Sequence, residues 1–165
     1  MVLNVKNITI CLLLMATLGC SESFNQESFN HIIQGNWNSY GVLSSSEGAI
    51  YSKYSVDYVI SHDYSYSDVT ETRLFLASDN RLLASYRTEE KGRIEIISDE
   101  LAFVVNEIFL LEFESNHQLI TKEATENILQ NTLGEREFHK VIHFNDKEIN
   151  LKTNGSGEEI RLTRM

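Results

Sequence analysis

The stretch YSKYSVDYVISHDYSYSD, residues 51–68, decides the fold because apolar and polar side chains alternate along it. From 54 to 66 the even positions hold Tyr, Val, Tyr, Ile, His, Tyr and Tyr, whereas the odd positions hold mostly Ser and Asp. A period of two residues is typical of a half-buried β-strand. The run is longer than an ordinary strand, so we expect it to bend near His62 and Asp63 or to break there into two strands.

The same alternation continues along the chain and predicts further strands. The candidates are 36–43, 71–77, 81–88, 93–98, 101–105, 107–114, 136–144, 147–153 and 158–164. Turn-forming residues, such as NGSG at 154–157, separate neighbouring candidates and favour antiparallel hairpins. Eight to ten short antiparallel strands predict a mainly β chain folded as a small calycin/lipocalin-like β-barrel, with a flattened sandwich as the alternative.

One segment has helical rather than strand-like spacing. TKEATENILQNTLG, which begins at residue 121, predicts a short helix over 121–133, with Thr121 capping its start and Gly134 ending it. We expect this helix to plug one end of the sheet with a narrow apolar stripe. The stripe consists of Ala124, Ile128, Leu129 and Leu133.

The first 19 residues resemble a secretory signal sequence. Lys6 precedes an uncharged apolar run, Ile8 to Leu18, that is shorter than the roughly 20 residues of a membrane span. Gly19 followed by Cys20 resembles the lipobox of bacterial lipoproteins, so we expect cleavage after 19 and a lipid anchor on Cys20. A signal anchor and a plain cleaved signal are the alternatives. These features predict a periplasmic chain that is anchored to the membrane at its N-terminus.

The rest of the chain has the composition of one acidic domain. Residues 20–31 are polar and predict a tether, with one or two helical turns as the alternative, and residues 32–165 then form the β-barrel domain. The chain holds 24 acidic against 14 basic residues, a net charge of −10 at pH 7. Such a surface repels nucleic acid, so we expect no nucleic acid partner.

No catalytic motif stands out, and we interpret the chain as a binding protein without a cofactor. His139 and His143 are four residues apart, which on a strand separates them by about 13 Å and predicts no metal site. Phe138, Ile142 and Phe144 alternate with them, which predicts apolar residues inside the barrel and histidines outside. We expect the Asp and Glu residues to form the polar sides of the strands.

The start of the first strand carries a short motif. Gly35-Asn36-Trp37 resembles the G-x-W opening of lipocalins, whose tryptophan packs beneath the barrel against an arginine of the last strand. The resemblance implies that Arg161 or Arg164 fills that role here.

Residues 72–165 are similar to a known family in the order and spacing of their segments. LFLASDNRLLASYRTEEKGRIEIISDELAFVV, 74–105, forms a series of strands and turns that includes Gly92, and FNDKEINLKTNGSGEEIRL, 144–162, closes the chain. This layout resembles the VtrC/ToxS-type periplasmic companions of transmembrane transcription activators, and VtrC more than ToxS. Ile94 departs from the tryptophan that ToxS chains usually carry.

The resemblance implies a regulatory function. The barrel is then completed with the periplasmic domain of a VtrA/ToxR-like transmembrane activator, and a shared chamber binds a bile salt and controls virulence genes for type III secretion. The tyrosine-rich strand becomes a candidate chamber wall, with ordinary core or an external ladder as alternatives. The ligand-binding candidates are Tyr54, Tyr58, Ile60, Tyr64, Phe138 and Ile142, and Tyr66 belongs to the same tyrosine set. The alternative function is an autonomous lipocalin-like envelope lipoprotein that binds a lipid or another small hydrophobic ligand.

Overall fold

The computed structural model describes residues 24–45 and 48–165, which form a closed antiparallel barrel of eight strands. Each strand pairs with the next along the chain, and the last returns to the first. The strands are β1 Gly35–Ser44, β2 Ile50–Ile60, β3 Ser65–Leu76, β4 Arg81–Ile97, β5 Glu100–Ser115, β6 Arg136–Phe144, β7 Glu148–Thr153 and β8 Glu159–Arg164. The helices are α1 Gln26–Ile32 and α2 Lys122–Gln130. The predicted small β-barrel is confirmed, and the sandwich alternative is wrong.

The tyrosine-rich run breaks into two strands where the sequence predicted. β2 ends at Ile60 and β3 begins at Ser65, and between them the Asp63 carboxylate accepts hydrogen bonds from the Ser65 backbone N–H at 3.0 Å and from its hydroxyl at 2.6 Å. Tyr64 lies in this turn with a φ of 62°. The even-numbered residues of β2 point into the barrel, and Val56 and Ile60 are buried there.

The lower end of the barrel is closed by α1. The Asn25 side chain caps this helix by accepting a hydrogen bond from the Ser28 N–H at 3.0 Å. Phe29 and Ile33 are fully buried in the core, and Phe24 packs against them. The segment predicted as a tether, 20–31, thus contains most of α1, which matches the alternative of one or two helical turns, and Phe24 and Phe29 pack into the core.

The predicted signal sequence, 1–19, and the predicted lipid anchor at Cys20 lie outside the described residues. Within the ranges that are described, neither helix has the length and apolarity that a membrane crossing requires.

Trp37 and Arg164 form the contact that the G-x-W motif implied. Trp37 is fully buried above α1, and its indole N–H donates to the Ile33 carbonyl at 2.7 Å. The Arg164 guanidinium carbon lies 4.3 Å from the centre of the Trp37 ring, and the Arg164 Nη1–H donates to the Gln34 carbonyl at 3.1 Å. Arg161 instead forms an ion pair with a glutamate of β7. The cation over the tryptophan is thus Arg164.

The barrel has a long half and a short half. β4 and β5 contain 17 and 16 residues, whereas β7 and β8 contain six each. β5 pairs with β6 only over 100–104, and β1 pairs with β8 only through Trp37 and Asn38. Beyond these seams β1 to β5 continue as a five-stranded sheet, here called the extended sheet. Its free edges, 39–44 on β1 and 109–115 on β5, pair with no further strand in the described part of the chain. The carbonyl groups of Val105 and Ile108 on β5 instead accept hydrogen bonds from Gly134 and from Gln130 of α2.

The helix α2 rests against the long strand β5. Its N-terminus is capped as predicted, because the Thr121 hydroxyl accepts a hydrogen bond from the Ala124 N–H at 3.1 Å. The Gln130 side chain donates to the Ile108 carbonyl on β5 at 3.3 Å. Ile128, from the predicted apolar stripe, is 66% exposed. The prediction that this helix plugs an end of the sheet is wrong, since α1 closes the lower end and α2 lies at a sheet edge.

Candidate ligand chamber

A cavity of about 490 Å³ lies inside the barrel above the core. This volume falls within the roughly 300–1,000 Å³ of pockets that hold small organic molecules. Its wall combines aromatic rings, carboxyl groups and aliphatic side chains, the last supplied by Leu151, Ile160 and Leu162 from the short strands. The chamber is therefore mixed in polarity, and its chemistry depends on where the carboxyl groups lie.

Three aromatic rings gather on one side of the chamber. The ring of Phe103 lies 5.3 Å from that of Tyr66 and 5.7 Å from that of Tyr58, measured between centres. Tyr66 pairs with Gly92 across the sheet, where a Cβ would stand 2.7 Å from the Tyr66 ring, so glycine is required there. Burial raises the pKa of both phenols. Tyr66 as a whole is 5% exposed, and its hydroxyl forms no hydrogen bond with another described residue.

The strand register places two carboxyl groups beside these rings. Tyr58 pairs with Asp68, and Asp68 pairs with Glu90, so the three form a row across β2, β3 and β4 on the inner face. Directly opposed residues in an antiparallel sheet have Cβ atoms roughly 4.5–5.5 Å apart. The row therefore holds two acids side by side within the barrel.

Asp68 is the deepest of the chamber's carboxyl groups. It is 4% exposed, and its Oδ1 accepts a hydrogen bond from the Thr70 hydroxyl at 3.1 Å. No described lysine, arginine or histidine lies within ion-pair distance of it. Burial, together with the charge of Glu90, raises the pKa of Asp68 to about 8. At neutral pH this side chain therefore holds its proton.

Two further carboxyl groups continue the acidic wall toward the mouth. Burial and the charge of Glu137 raise the pKa of Glu90. Glu137 lies at the mouth, where its side chain is 65% exposed and where partial enclosure by the barrel raises its pKa. The acidic groups thus run from the interior to the opening.

The chamber's basic side chains leave these acids without a countercharge. His139 is 1% exposed, its Nδ1 lies 3.1 Å from the Thr153 hydroxyl, and burial lowers its pKa to about 4, so it is neutral at pH 7. Arg136 is the one lysine or arginine among the described lining residues, and its guanidinium lies 3.4 Å from Glu95. Neither group therefore neutralises the carboxyl groups.

The predicted ligand-binding residues are divided between four locations. Tyr58 lines the chamber, and Tyr54 lies farther along β2, where its ring covers Gly41. Ile60 and Tyr64 belong to the core beneath the cavity. Phe138 and Ile142 occupy the outer face of β6, so the prediction that they face the chamber is wrong.

The error on β6 concerns which face points inward. His139 and Val141 are buried in the barrel, and Ile142 is 54% exposed on the outside. A register irregularity between Val141 and His143 then returns Phe144 to the interior, where it packs against aromatic residues at the lower end. Before the bulge the odd-numbered residues of β6 point inward, and after it the even-numbered Phe144 does. An alternation pattern read along the whole strand could not show this change.

Sequence reasoning missed the carboxyl groups of the chamber. Asp68 and Glu90 were expected on polar outer faces, yet both lie on the inner face. The signal was present for Asp68, because it follows Tyr66 by two residues and so continues the same even-numbered face. The inward position of Glu90 could be recognised only from the strand register, which pairs it with Asp68.

The free edges of the extended sheet carry exposed apolar side chains. Tyr40 and Val42 project from β1, and Phe109 and Leu111 project from β5. Unpaired strands with apolar side chains are surfaces at which another chain can add a strand.

Comparison with models of known protein families and with curated proteins gives no match. Among the described residues, no three histidine, cysteine, aspartate or glutamate side chains come together in a way that could hold a metal ion.

Proposed function

We propose that this chain is a non-catalytic regulatory subunit that pairs with the periplasmic sensor domain of a membrane-bound transcription activator and holds a small amphipathic ligand in its chamber. The observation that carries this proposal is the pair of free edges, 39–44 and 109–115, which border a sheet that continues beyond the closed part of the barrel. A partner that adds strands there extends the wall above the cavity.

Burial and hydrogen bonding support pairing at these edges. Each unpaired strand offers backbone N–H and C=O groups that another strand satisfies. The exposed side chains of Val42 and Leu111 add apolar area that such a contact removes from water. The partner's position beside the chamber then couples occupancy of the chamber to the shape of the complex.

The ligand implied by the family resemblance is a bile salt, and the activator's output is then control of virulence genes for type III secretion. A steroid body suits the aliphatic side of the chamber, formed by Leu151, Ile160 and Leu162. Its hydroxyl groups can donate hydrogen bonds to the carboxyl groups of Asp68 and Glu90. The lipid anchor at Cys20 places the pair at the membrane.

The test is coexpression of the exported chain with the sensor domain of an activator encoded by a neighbouring gene. We expect a 1:1 complex on gel filtration, with a higher melting temperature than either chain alone. Val42→Lys and Leu111→Lys place charges at the free edges and should weaken the complex at least tenfold. Val59→Lys is the matched control, because Val59 is an exposed aliphatic residue on β2, inside the sheet rather than at its edge.

A second function, an autonomous lipocalin-like carrier, is favoured by one observation. The lower end is already sealed by α1 and by the contact between Trp37 and Arg164. A chain that stays monomeric beside the sensor domain, yet binds an amphipathic ligand in the chamber, would favour the carrier and contradict the regulatory subunit.

A further inference from the structure

The chamber holds two acidic groups, Asp68 and Glu90, to which the described residues supply no positive partner. Asp68 and Glu90 stand side by side on the inner face, and no described basic residue lies within ion-pair distance of either. Arg136 is engaged by Glu95. A carboxylate buried without a countercharge is unfavourable, so such groups mark candidate sites for a ligand.

The aromatic side of the chamber gives a second and independent indication of a ligand. Tyr58, Tyr66 and Phe103 place their rings within 6.5 Å of one another, centre to centre, beside the carboxyl groups. The Tyr66 side chain is nine-tenths or more buried, lines the cavity, and its hydroxyl has no partner among the described residues. Clustered aromatic faces attract ammonium groups through their negative quadrupoles.

We propose that the chamber binds an organic cation, an ammonium group joined to an apolar body, with the ammonium group beside Asp68 and Glu90 and against the rings of Tyr58 and Tyr66. The apolar body lies against the aliphatic side chains of β7 and β8. This inference rests on the proposed ligand chamber but not on the proposed activator partner.

Other guests fit this site less well. A metal ion lacks a set of three converging ligands within the described residues. An anionic bile salt would be repelled by Glu90 and Glu137 when these groups are ionised, and this repulsion disappears when they are protonated. Tighter binding of an anionic probe than of a cationic probe would therefore favour a bile salt and contradict this inference.

Protonation is coupled to cation binding. Asp68 holds its proton in the empty chamber at neutral pH, because burial and Glu90 raise its pKa. An ammonium group favours the ionised carboxylate, so its binding releases a proton and strengthens as the pH rises. The titratable and charged groups that line the chamber with this pair are Tyr58, Tyr66, Glu135, Arg136, Glu137 and His139. The charge of Glu89, on the neighbouring position of β4, also raises the pKa of Asp68.

Three probes with one tail and different head groups test the inference on the full chain. Octyltrimethylammonium, 1-octanol and octyl sulfate are titrated below their aggregation concentrations at pH 8.0 and pH 5.5. At pH 8.0 we expect the ammonium probe to bind at least tenfold more tightly than octanol, and the sulfate to bind most weakly. The preference for ammonium should shrink at pH 5.5, and calorimetry in buffers of different ionisation enthalpy should show proton release only with the ammonium probe.

Matched variants identify the residues responsible. Asp68→Asn and Glu90→Gln should each weaken ammonium binding at least fivefold at pH 8.0. They should change octanol binding by less than about twofold, because the amide oxygen still accepts a hydrogen bond from the octanol hydroxyl, and this result also shows that the chamber is intact. Glu71 is an exposed acid on the outer face of β3, and Glu71→Gln should change neither ammonium binding nor octanol binding. Octanol binding without a preference for ammonium would overturn this inference and leave the proposed chamber standing. The absence of binding by all three probes would overturn both.

Discussion

The closed lower end and the extended sheet of this barrel differ in how their polar groups are satisfied. At the lower end the Trp37 indole donates to a backbone carbonyl, and Arg164 is held by carbonyl groups and by the tryptophan ring. In the chamber Asp68 and Tyr66 are buried with few or no partners, and above it two strand edges remain unpaired. The lower end therefore contributes most of the satisfied core contacts, and the upper part is where the proposed function places binding.

The largest expected effect is loss of the lower seal. Trp37→Ala removes a fully buried indole and its hydrogen bond, and should lower the free energy of unfolding by about 3–5 kcal/mol. Chemical denaturation measures this. The control is Tyr40→Ala, which truncates an exposed aromatic residue of the same strand and should change stability by less than about 0.5 kcal/mol. Equal losses in both variants would contradict the division between the two regions.

The chamber, in contrast, should become more stable when its deepest acid is removed. The unfolded Asp68 carboxyl ionises near its ordinary pKa of 3.8, whereas the folded one keeps its proton to about pH 8. The unfolded state thus binds fewer protons in this range, and wild-type stability falls as the pH rises through it. Asp68→Asn should therefore stabilise the fold by about 2–4 kcal/mol more at pH 8 than at pH 4.5. Parallel pH–stability curves for the two proteins would exclude this role for Asp68.

The contribution of His139 to stability should depend on pH in the opposite direction: it should fall as the pH decreases, and it should do so in a lower pH range. Its folded pKa is about 4, below the ordinary value of 6.5, so acidification through this interval protonates the unfolded state first and lowers stability. His139→Gln removes this dependence, and its stability relative to wild type should improve by about 2 kcal/mol from pH 7.5 to pH 5. Denaturation at the two pH values measures the change. A constant difference would mean that the folded imidazole takes up its proton freely.

The smallest effect concerns a single hydroxyl in the chamber wall. Tyr58→Phe keeps the ring and its packing against Phe103, so stability should change by less than about 0.5 kcal/mol. A guest that hydrogen-bonds to this phenol should bind several-fold more weakly, as a loss of about 1 kcal/mol implies. The control is Tyr51→Phe on the outer face of the same strand, where the hydroxyl donates to Asn80. Unchanged affinity for a bile salt and for the ammonium probe in both variants would place Tyr58 outside the guest's contacts.

The barrel could be predicted from the sequence because the inner and outer faces of most strands differ strongly in polarity. In β2, serine, lysine and aspartate lie opposite tyrosine, valine and isoleucine, so a slip of one residue would bury the wrong set. In β6 both faces contain apolar side chains and histidines, and the irregularity after Val141 exchanges them. The pattern therefore could not assign the inner face of β6, and the predictions for Phe138 and Ile142 failed.

Two other errors have different physical causes. The short helix α1 has few apolar residues, and its polar composition resembles a linker until Phe29 is placed in the core. The acidic wall was missed because an acid is normally assigned to the solvent side of a strand. The exception at Asp68 violates that rule, and such violations concentrate at functional sites.

The pairing between β1 and β8 covers only two residues, and this determines how firmly the circumference of the barrel is fixed. A cylinder that is closed along the full length of its strands has its circumference fixed by strand number and stagger. Here β1 and β8 close the circumference only in the layer of Trp37 and Asn38, and above that layer no strand of the described residues joins the edge of β1 to that of β5. In the proposed complex, a partner strand at those edges would therefore set the diameter of the upper barrel, and the volume of the chamber would be a property of both chains together.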